Sequence, residues 1–259
     1  MNIGTAKPTD EELSLAEHHF INNLSIHDNY NVGMYEEEAI NLLNSIYSNV
    51  DVAILVGGTG LYINAVLQGL DSFPKIDSSI RQELNSIFKK EGINTLQLML
   101  KEKDPEYAKE VDLGNPHRLI RALSVILSSG EKFSSYRNKL KKDRNFVPIK
   151  IALTMERHKL YERINNRVEN MMEAGLLEEV RSLEKHKHLN ALNTVGYSEL
   201  FDHLAGKGFE SEAVDQIKQN TRRYAKRQST WFRNQGEWNY FDSHKSEEII
   251  QFVLSKLEN

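Results

Sequence analysis

An α/β fold with a parallel sheet and an inserted helical region is predicted by three observations. The run Val52-Ala53-Ile54-Leu55-Val56 is apolar without alternation, the pattern of a strand covered on both faces and therefore of a parallel sheet. It leads through Gly57-Gly58-Thr59-Gly60 into LYINAVLQGL, an apolar-periodic helix ending near Gly69, so strand and helix follow each other as in α/β proteins. A second apolar run, Ile149-Lys150-Ile151-Ala152-Leu153, returns to strand after a long helical stretch.

The other elements follow from periodicity and caps. Thr9, with Glu12 three residues on, has the form of a capping box opening a first helix. Ala39, Ile40, Leu42, Leu43, Ile46 and Tyr47 give the stretch Tyr35 to Tyr47 one buried helical face. Asp77 to Leu100 and Asn115 to Leu140 read as helices, the second capped by Asn115 with Pro116 at its first position and a stripe of Leu119, Ala122, Leu123 and Ile126. An all-helical insertion is therefore expected at about 77–140, in a core made of 1–76 and 141–259. Leu160, Ile164, Val168, Met171, Met172, Leu176, Val180 and Leu183 mark one long amphipathic helix, with Arg163 and Arg167 on one face beside the stripe. Helix continues to Phe232, and Trp238-Asn239-Tyr240-Phe241 fits a last short strand.

Composition narrows the class of function. With 259 residues, 39% of them hydrophobic, the chain can bury a core without metal or disulfide staples. It has no Cys, which excludes disulfides, thiolate metal sites and cysteine nucleophiles and fits a reducing, cytoplasmic setting. The longest apolar run, around Val52 to Val56, is far short of the roughly 20 residues of a membrane span, and no signal-peptide pattern opens the chain. A soluble protein without a membrane partner is expected. The net charge of -4 hides an asymmetry: Ile217 to Arg233 carries six Lys or Arg and no acid, leaving about -10 on the rest. Asn115 to Lys142 carries seven against the single acid Glu131. Two basic segments on an acidic body suggest local contact with nucleic acid.

The motif search is informative first through absences. There is no G-x-x-x-x-G-K-[ST] phosphate loop, no H-E-x-x-H, no G-x-S-x-G and no aspartate-rich D-D-x-x-D. His186 and His188 lack a nearby third ligand and read as a solvated helix end; His18 and His19 read as core packing, with a site as the alternative. Gly57 to Gly60, at a helix N-terminus, suits an anion, and is equally a tight turn. Arg163 and Arg167 suit phosphate, and the basic segment interleaved with Tyr224, Trp231 and Phe232 suits single-stranded RNA. A solvated basic helix face is the alternative for that segment.

Six motifs carry a resemblance. Asn2-Ile3-Gly4-Thr5-Ala6-Lys7-Pro8, His18-His19-Phe20-Ile21, Val56-Gly57-Gly58-Thr59-Gly60-Leu61-Tyr62, Asn115-Pro116-His117-Arg118-Leu119-Ile120-Arg121-Ala122, Val195-Gly196-Tyr197 and Ala225-Lys226-Arg227-Gln228-Ser229-Thr230-Trp231-Phe232-Arg233 resemble, in order, the motifs of the tRNA dimethylallyltransferase family. The resemblance implies a P-loop NTPase-like parallel sheet core with the helical insertion reaching the tRNA anticodon region. It implies transfer of a dimethylallyl group from dimethylallyl diphosphate to N6 of adenosine 37 in tRNAs reading codons that begin with U. Diphosphate leaves, Mg2+ assists, and the enzyme acts as a monomer.

Carried over onto this chain, the resemblance places Thr59 at the reaction centre, near adenine and diphosphate, and Arg163 and Arg167 on the diphosphate oxygens. It puts Arg81 and the run His117, Arg118, Leu119, Ile120 and Arg121 on the anticodon loop. Thr194, Val195, Gly196 and Tyr197 join the tRNA-contacting set, with Tyr197 equally readable as part of a helix-connecting turn. Lys226, Arg227, Gln228, Ser229, Thr230, Trp231, Phe232 and Arg233 line a tRNA-facing side, where Trp231 is equally readable as a buried anchor. The family carries a phosphate loop and an Asp-Ser dipeptide, whose Asp is the general base, ahead of the first of these motifs; neither precedes Asn2 here. The expectation is therefore of a chain short of its first strand and inactive alone, with a shortened, non-catalytic tRNA-binding paralogue as the alternative.

Overall fold

The computed structural model describes residues 1–5, 7–137 and 142–258. The chain divides into two compact units, Met1–Ile63 with Phe146–Asn259, and Asn64–Asn145. Its helices are α1 (Asp10–Leu15), α2 (Val32–Ile46), α3 (Gly60–Gln68), α4 (Ser78–Glu91), α5 (Ile93–Lys103), α6 (Pro105–Glu110), α7 (Pro116–Ser129), α8 (Arg157–Glu173), α9 (Leu176–Ser182), α10 (Tyr197–Leu204), α11 (Glu210–Asn234) and α12 (Ser246–Leu257). The strands are β1 (Ile151–Thr154) and β2 (Asn239–Asp242).

In the first unit β1 and β2 pair in parallel, Ile151 opposite Asn239 and Thr154 opposite Asp242. A parallel pair needs a long crossover, and α8 to α11 supply it. The strand expected at Val52–Val56 is not formed: these residues carry no strand ladder, and Ile54 and Val56 are each 87% exposed. A strand exists only through hydrogen bonds to a neighbour, and among the described residues the sheet contains β1 and β2 alone. The fold class stands as α/β with parallel pairing, on a smaller sheet than the apolar run suggested.

The expected helix over Leu160 to Leu183 is two, α8 and α9, because Gly175 adopts φ +94 at the junction, a left-handed geometry that glycine takes without steric cost. Gly92, at φ +82, ends α4 in the same way and starts α5 on a new axis. Val168, Leu176, Val180, Leu192, Tyr197, Leu200, Ala213 and Ile217 form the core joining α8 to α11. Arg222 Nη1 donates to Asn165 Oδ1 at 2.6 Å and Lys218 pairs with Glu169 at 2.8 Å, so polar bonds also tie α11 to α8. Thr9 and Glu12 make the expected capping box on α1.

His18 and His19 correct another expectation. Both are exposed, and the packing member of their motif is Phe20, whose ring meets Tyr35 edge-on at 5.3 Å; Tyr35 in turn lies 5.0 Å from Tyr62. His186 sits in a short 3-10 turn with its ring edge-on to His27 at 4.8 Å, while His188 is exposed.

The second unit is helical. Leu84, Leu96, Leu100, Leu119, Leu123 and Val125 form its interior, closed by Phe133. Asn115 caps α7 and Pro116 begins it, as its sequence requires. Residues 138–140, the end of the helix expected from Asn115, lie outside the described residues, as does residue 6 of the first motif; α7 itself stops at Ser129. Asp104 is fully buried and satisfied: it accepts from Tyr107 N at 3.0 Å, Ser134 N at 2.8 Å and Ser134 Oγ at 3.0 Å, which joins α6 to the 3-10 turn at 133–136.

Candidate functional site

In the first unit the Gly57-Gly58-Thr59-Gly60 loop lies along one face of α11. Tyr224, Gln228 and Trp231 stand at i, i+4 and i+7, a single helical face. Gln228 Nε2 donates to the Gly58 carbonyl at 3.0 Å. A Cβ at residue 58 would overlap the Gln228 amide, and one at 60 would overlap the Trp231 indole, so these glycines permit a close approach of backbone to helix. Gly57 faces open space. Between the two clamped glycines, Thr59 is exposed; its carbonyl accepts from the amides of Tyr62 and Ile63 as α3 begins, and its Oγ1 stands 3.2 Å from the Tyr224 hydroxyl.

The other faces of α11 carry the cations. Lys226, Arg227, Ser229, Thr230 and Arg233 are exposed, while Ser229 and Thr230 return their hydroxyls to the carbonyls of Ala225 and Lys226. Trp231 and Phe232 are half-buried; they meet edge-on at 4.9 Å, and Trp238 packs on both. Trp231 is thus an anchor for the loop, and Gln228 is engaged with the loop backbone. Arg163 and Arg167 are exposed on α8, on either side of buried Ile164 and next to buried Val168.

Residues 194–197 join the core to a network that sequence reasoning missed. Val195 packs against the core, the Gly196 amide donates to Glu199 Oε2 at 2.8 Å, and the Thr194 carbonyl accepts from the amides of Tyr197 and Ser198. Tyr197 is fully buried, and its hydroxyl donates to the Glu179 carboxylate, which also accepts from the amides of Asn2 (2.7 Å), Ile3 (3.1 Å) and Gly4 (3.4 Å). Partial burial works to raise the Glu179 pKa, but the Tyr197 hydroxyl and the three amides outweigh it and hold the carboxyl below its ordinary value. Burial first, and then the bond to Glu179, push the Tyr197 phenol up. Nothing in the sequence distinguishes Glu179 from a surface acid on an amphipathic helix.

In the second unit Arg81, His117 and Arg121 line one hollow with Ile76, Asp77, Ser78 and Ser124. Arg121 lies 5.0 Å over the Phe73 ring, and burial, followed by the neighbouring Arg81 charge, pulls its pKa down. Two guanidiniums that disfavour each other's charge make a place where an anion is welcome. Arg118 is on another side of α7, lining a hollow with Phe73, Tyr107, Phe133 and Arg137. Leu119 and Ile120 point into the core, so their part in the run is to seat the helix that carries the cations.

Known proteins match this chain throughout its length. A family model described as IPP transferase matches residues 1–235. The chain belongs to the IPP transferase family. A tRNA dimethylallyltransferase of Christiangramia forsetii is 49% identical over 258 residues, covering 99% of this chain and 85% of the relative. One from Flavobacterium johnsoniae is 45% identical, covering 100% and 86%. Among solved structures, the full-length tRNA isopentenylpyrophosphate transferase of Bacillus halodurans is similar with a TM-score of 0.70 and 35% identity, over 100% of this chain and 84% of that one. The α/β, P-loop NTPase-like fold class expected from the family's motifs is the fold shared with these transferases.

Among the described residues no cluster of three His, Cys, Asp or Glu side chains stands ready to hold a metal ion. A Mg2+ carried by the diphosphate itself needs no such cluster, since it takes one or two carboxylates and substrate oxygens. Nor, among the described residues, is any helix long and apolar enough to cross a membrane.

Proposed function

We propose that this chain modifies tRNA in the cytoplasm, as a monomer, transferring the dimethylallyl group of dimethylallyl diphosphate to N6 of adenosine 37 in tRNAs that read codons beginning with U. The observation that carries the reading is the exposed Thr59 hydroxyl, set against the cationic helix α11 by a loop whose flanking glycines lie against Gln228 and Trp231. A relative 49% identical is named tRNA dimethylallyltransferase.

In the reaction, N6 bonds to C1 of the dimethylallyl group, the C1–O bond breaks with its electron pair leaving on diphosphate, and one N6 proton passes to a carboxylate. The family resemblance puts that carboxylate in an Asp-Ser dipeptide ahead of Asn2. This chain's residues supply the rest. Thr59 meets the exocyclic amine, and Arg163 and Arg167 neutralise the departing charge, where a positioned donor has its largest effect. Arg81, His117 and Arg121 take the anticodon-loop backbone, and Lys226, Arg227 and Arg233 hold RNA phosphates. Presenting N6 requires adenine to leave its stack, as in other base-modifying enzymes.

Nucleoside mass spectrometry of tRNA from cells with and without the gene tests the reading. Loss of N6-dimethylallyladenosine on deletion, restored by the gene, is expected; unchanged modification overturns it.

A further inference from the structure

Thr59 and Tyr224 are separated by 165 residues, yet their hydroxyls stand 3.2 Å apart at the surface, with Tyr224 42% exposed. A hydrogen bond between exposed hydroxyls adds little to stability, because water competes for both partners. The surroundings nevertheless hold this one from every side. Gln228 fixes Gly58 before Thr59, Trp231 abuts Gly60 after it, and the Arg227 guanidinium lies 5.8 Å from the centre of the Tyr224 ring.

A threonine hydroxyl can donate one hydrogen bond and accept two, and its neighbours decide which it does. The exocyclic N6 of adenosine carries hydrogens, so a hydroxyl that orients it must turn lone pairs toward it. Resting on the functional reading above, we infer that Tyr224 is a positioning residue: the hydrogen bond its hydroxyl shares with Thr59 fixes Oγ1 and leaves a lone pair facing the amine. The aromatic ring sets the distance, Arg227 steadies the ring, and the phenol hydroxyl sets the direction of the shared hydrogen bond. Tyr224 acts through Thr59 and need not touch the substrate.

The test is a double-mutant cycle with Tyr224→Phe, Thr59→Val and the pair, in this chain preceded by the phosphate-loop and Asp-Ser segment of a family relative, measuring dimethylallyl transfer to an anticodon stem-loop RNA. Tyr224→Phe keeps the ring and removes the hydroxyl. It is expected to lower kcat about tenfold, on the scale of one misdirected hydrogen bond, to leave KM for the stem-loop within about twofold, and to cost nothing further once Thr59 is Val. The melting temperature should not move, which separates positioning from folding. Wild-type kcat in Tyr224→Phe, or a loss that adds fully to that of Thr59→Val, overturns the inference while the functional reading stands. A protein carrying that segment that transfers nothing to the stem-loop overturns the functional reading, and this inference with it.

Discussion

At the scale of single residues, Glu179 decides more than its sequence context suggests. Its carboxylate gathers the start of the chain and the buried Tyr197 hydroxyl onto one side chain. Because its folded pKa lies below the ordinary 4.5, the unfolded chain takes up the proton first as pH falls. The stabilisation is therefore full above 4.5 and is lost as pH drops through the folded value. Glu179→Gln should melt lower than wild type at neutral pH, and the gap should close in acid; a gap that stays constant with pH in thermal melts would refute this. Gly58 is the second such residue. Gly58→Ala places a methyl group on the Gln228 amide, which must swing away and give up its bond to the Gly58 carbonyl; this should cost about 0.5–1.5 kcal/mol in denaturant unfolding, whereas Gly57→Ala, facing open space, should cost far less. The sequence showed four residues rich in glycine; that only two of them are constrained by packing depends on α11, some 170 residues later.

Among the elements, α11 is the one on which the site is assembled. Its 25 residues present Tyr224, Gln228 and Trp231 to the loop, Arg222 and Lys218 to α8, and the remaining cations to solvent. Cationic side chains facing water contribute little to stability and much to a polyanion's affinity. Arg227→Ala combined with Arg233→Ala should leave the melting temperature nearly unchanged. It should weaken anticodon stem-loop binding and reduce the slope of log affinity against log salt by about 1–2; an unchanged slope in fluorescence anisotropy would make this face merely solvated. The basic run was legible in the sequence because six cations without an acid are countable. Its division into a clamping face and a solvent face was legible only in part, through helical spacing, since nothing local says which neighbour occupies which face.

For the molecule as a whole, the two units carry separate cores, one around Leu123 and one around Leu200. The segment at 52–56 belongs to the first unit but to neither core. Val52, Ile54, Leu55 and Val56 are between 45% and 87% exposed, and a contiguous exposed apolar segment invites association. Ile54→Lys with Val56→Lys should raise the concentration at which light scattering finds a single species, with little effect on thermal unfolding. Greater association in the double variant would show that these side chains are packed rather than open.

Local chemistry was enough to specify caps, helix faces and motifs: Thr9 with Glu12, Asn115 with Pro116, the stripe through Leu123, and the glycines around Thr59 all act within a few residues of themselves. The family, too, was readable from the order of six short motifs. What local chemistry could not specify was partnership over long distances. Whether Val52–Val56 finds a neighbouring strand, whether the start of the chain finds Glu179, and whether Tyr224 meets Thr59 depend on which surfaces the packed helices bring together. A hydrogen bond or a strand ladder needs two partners, and the sequence around either partner names only one.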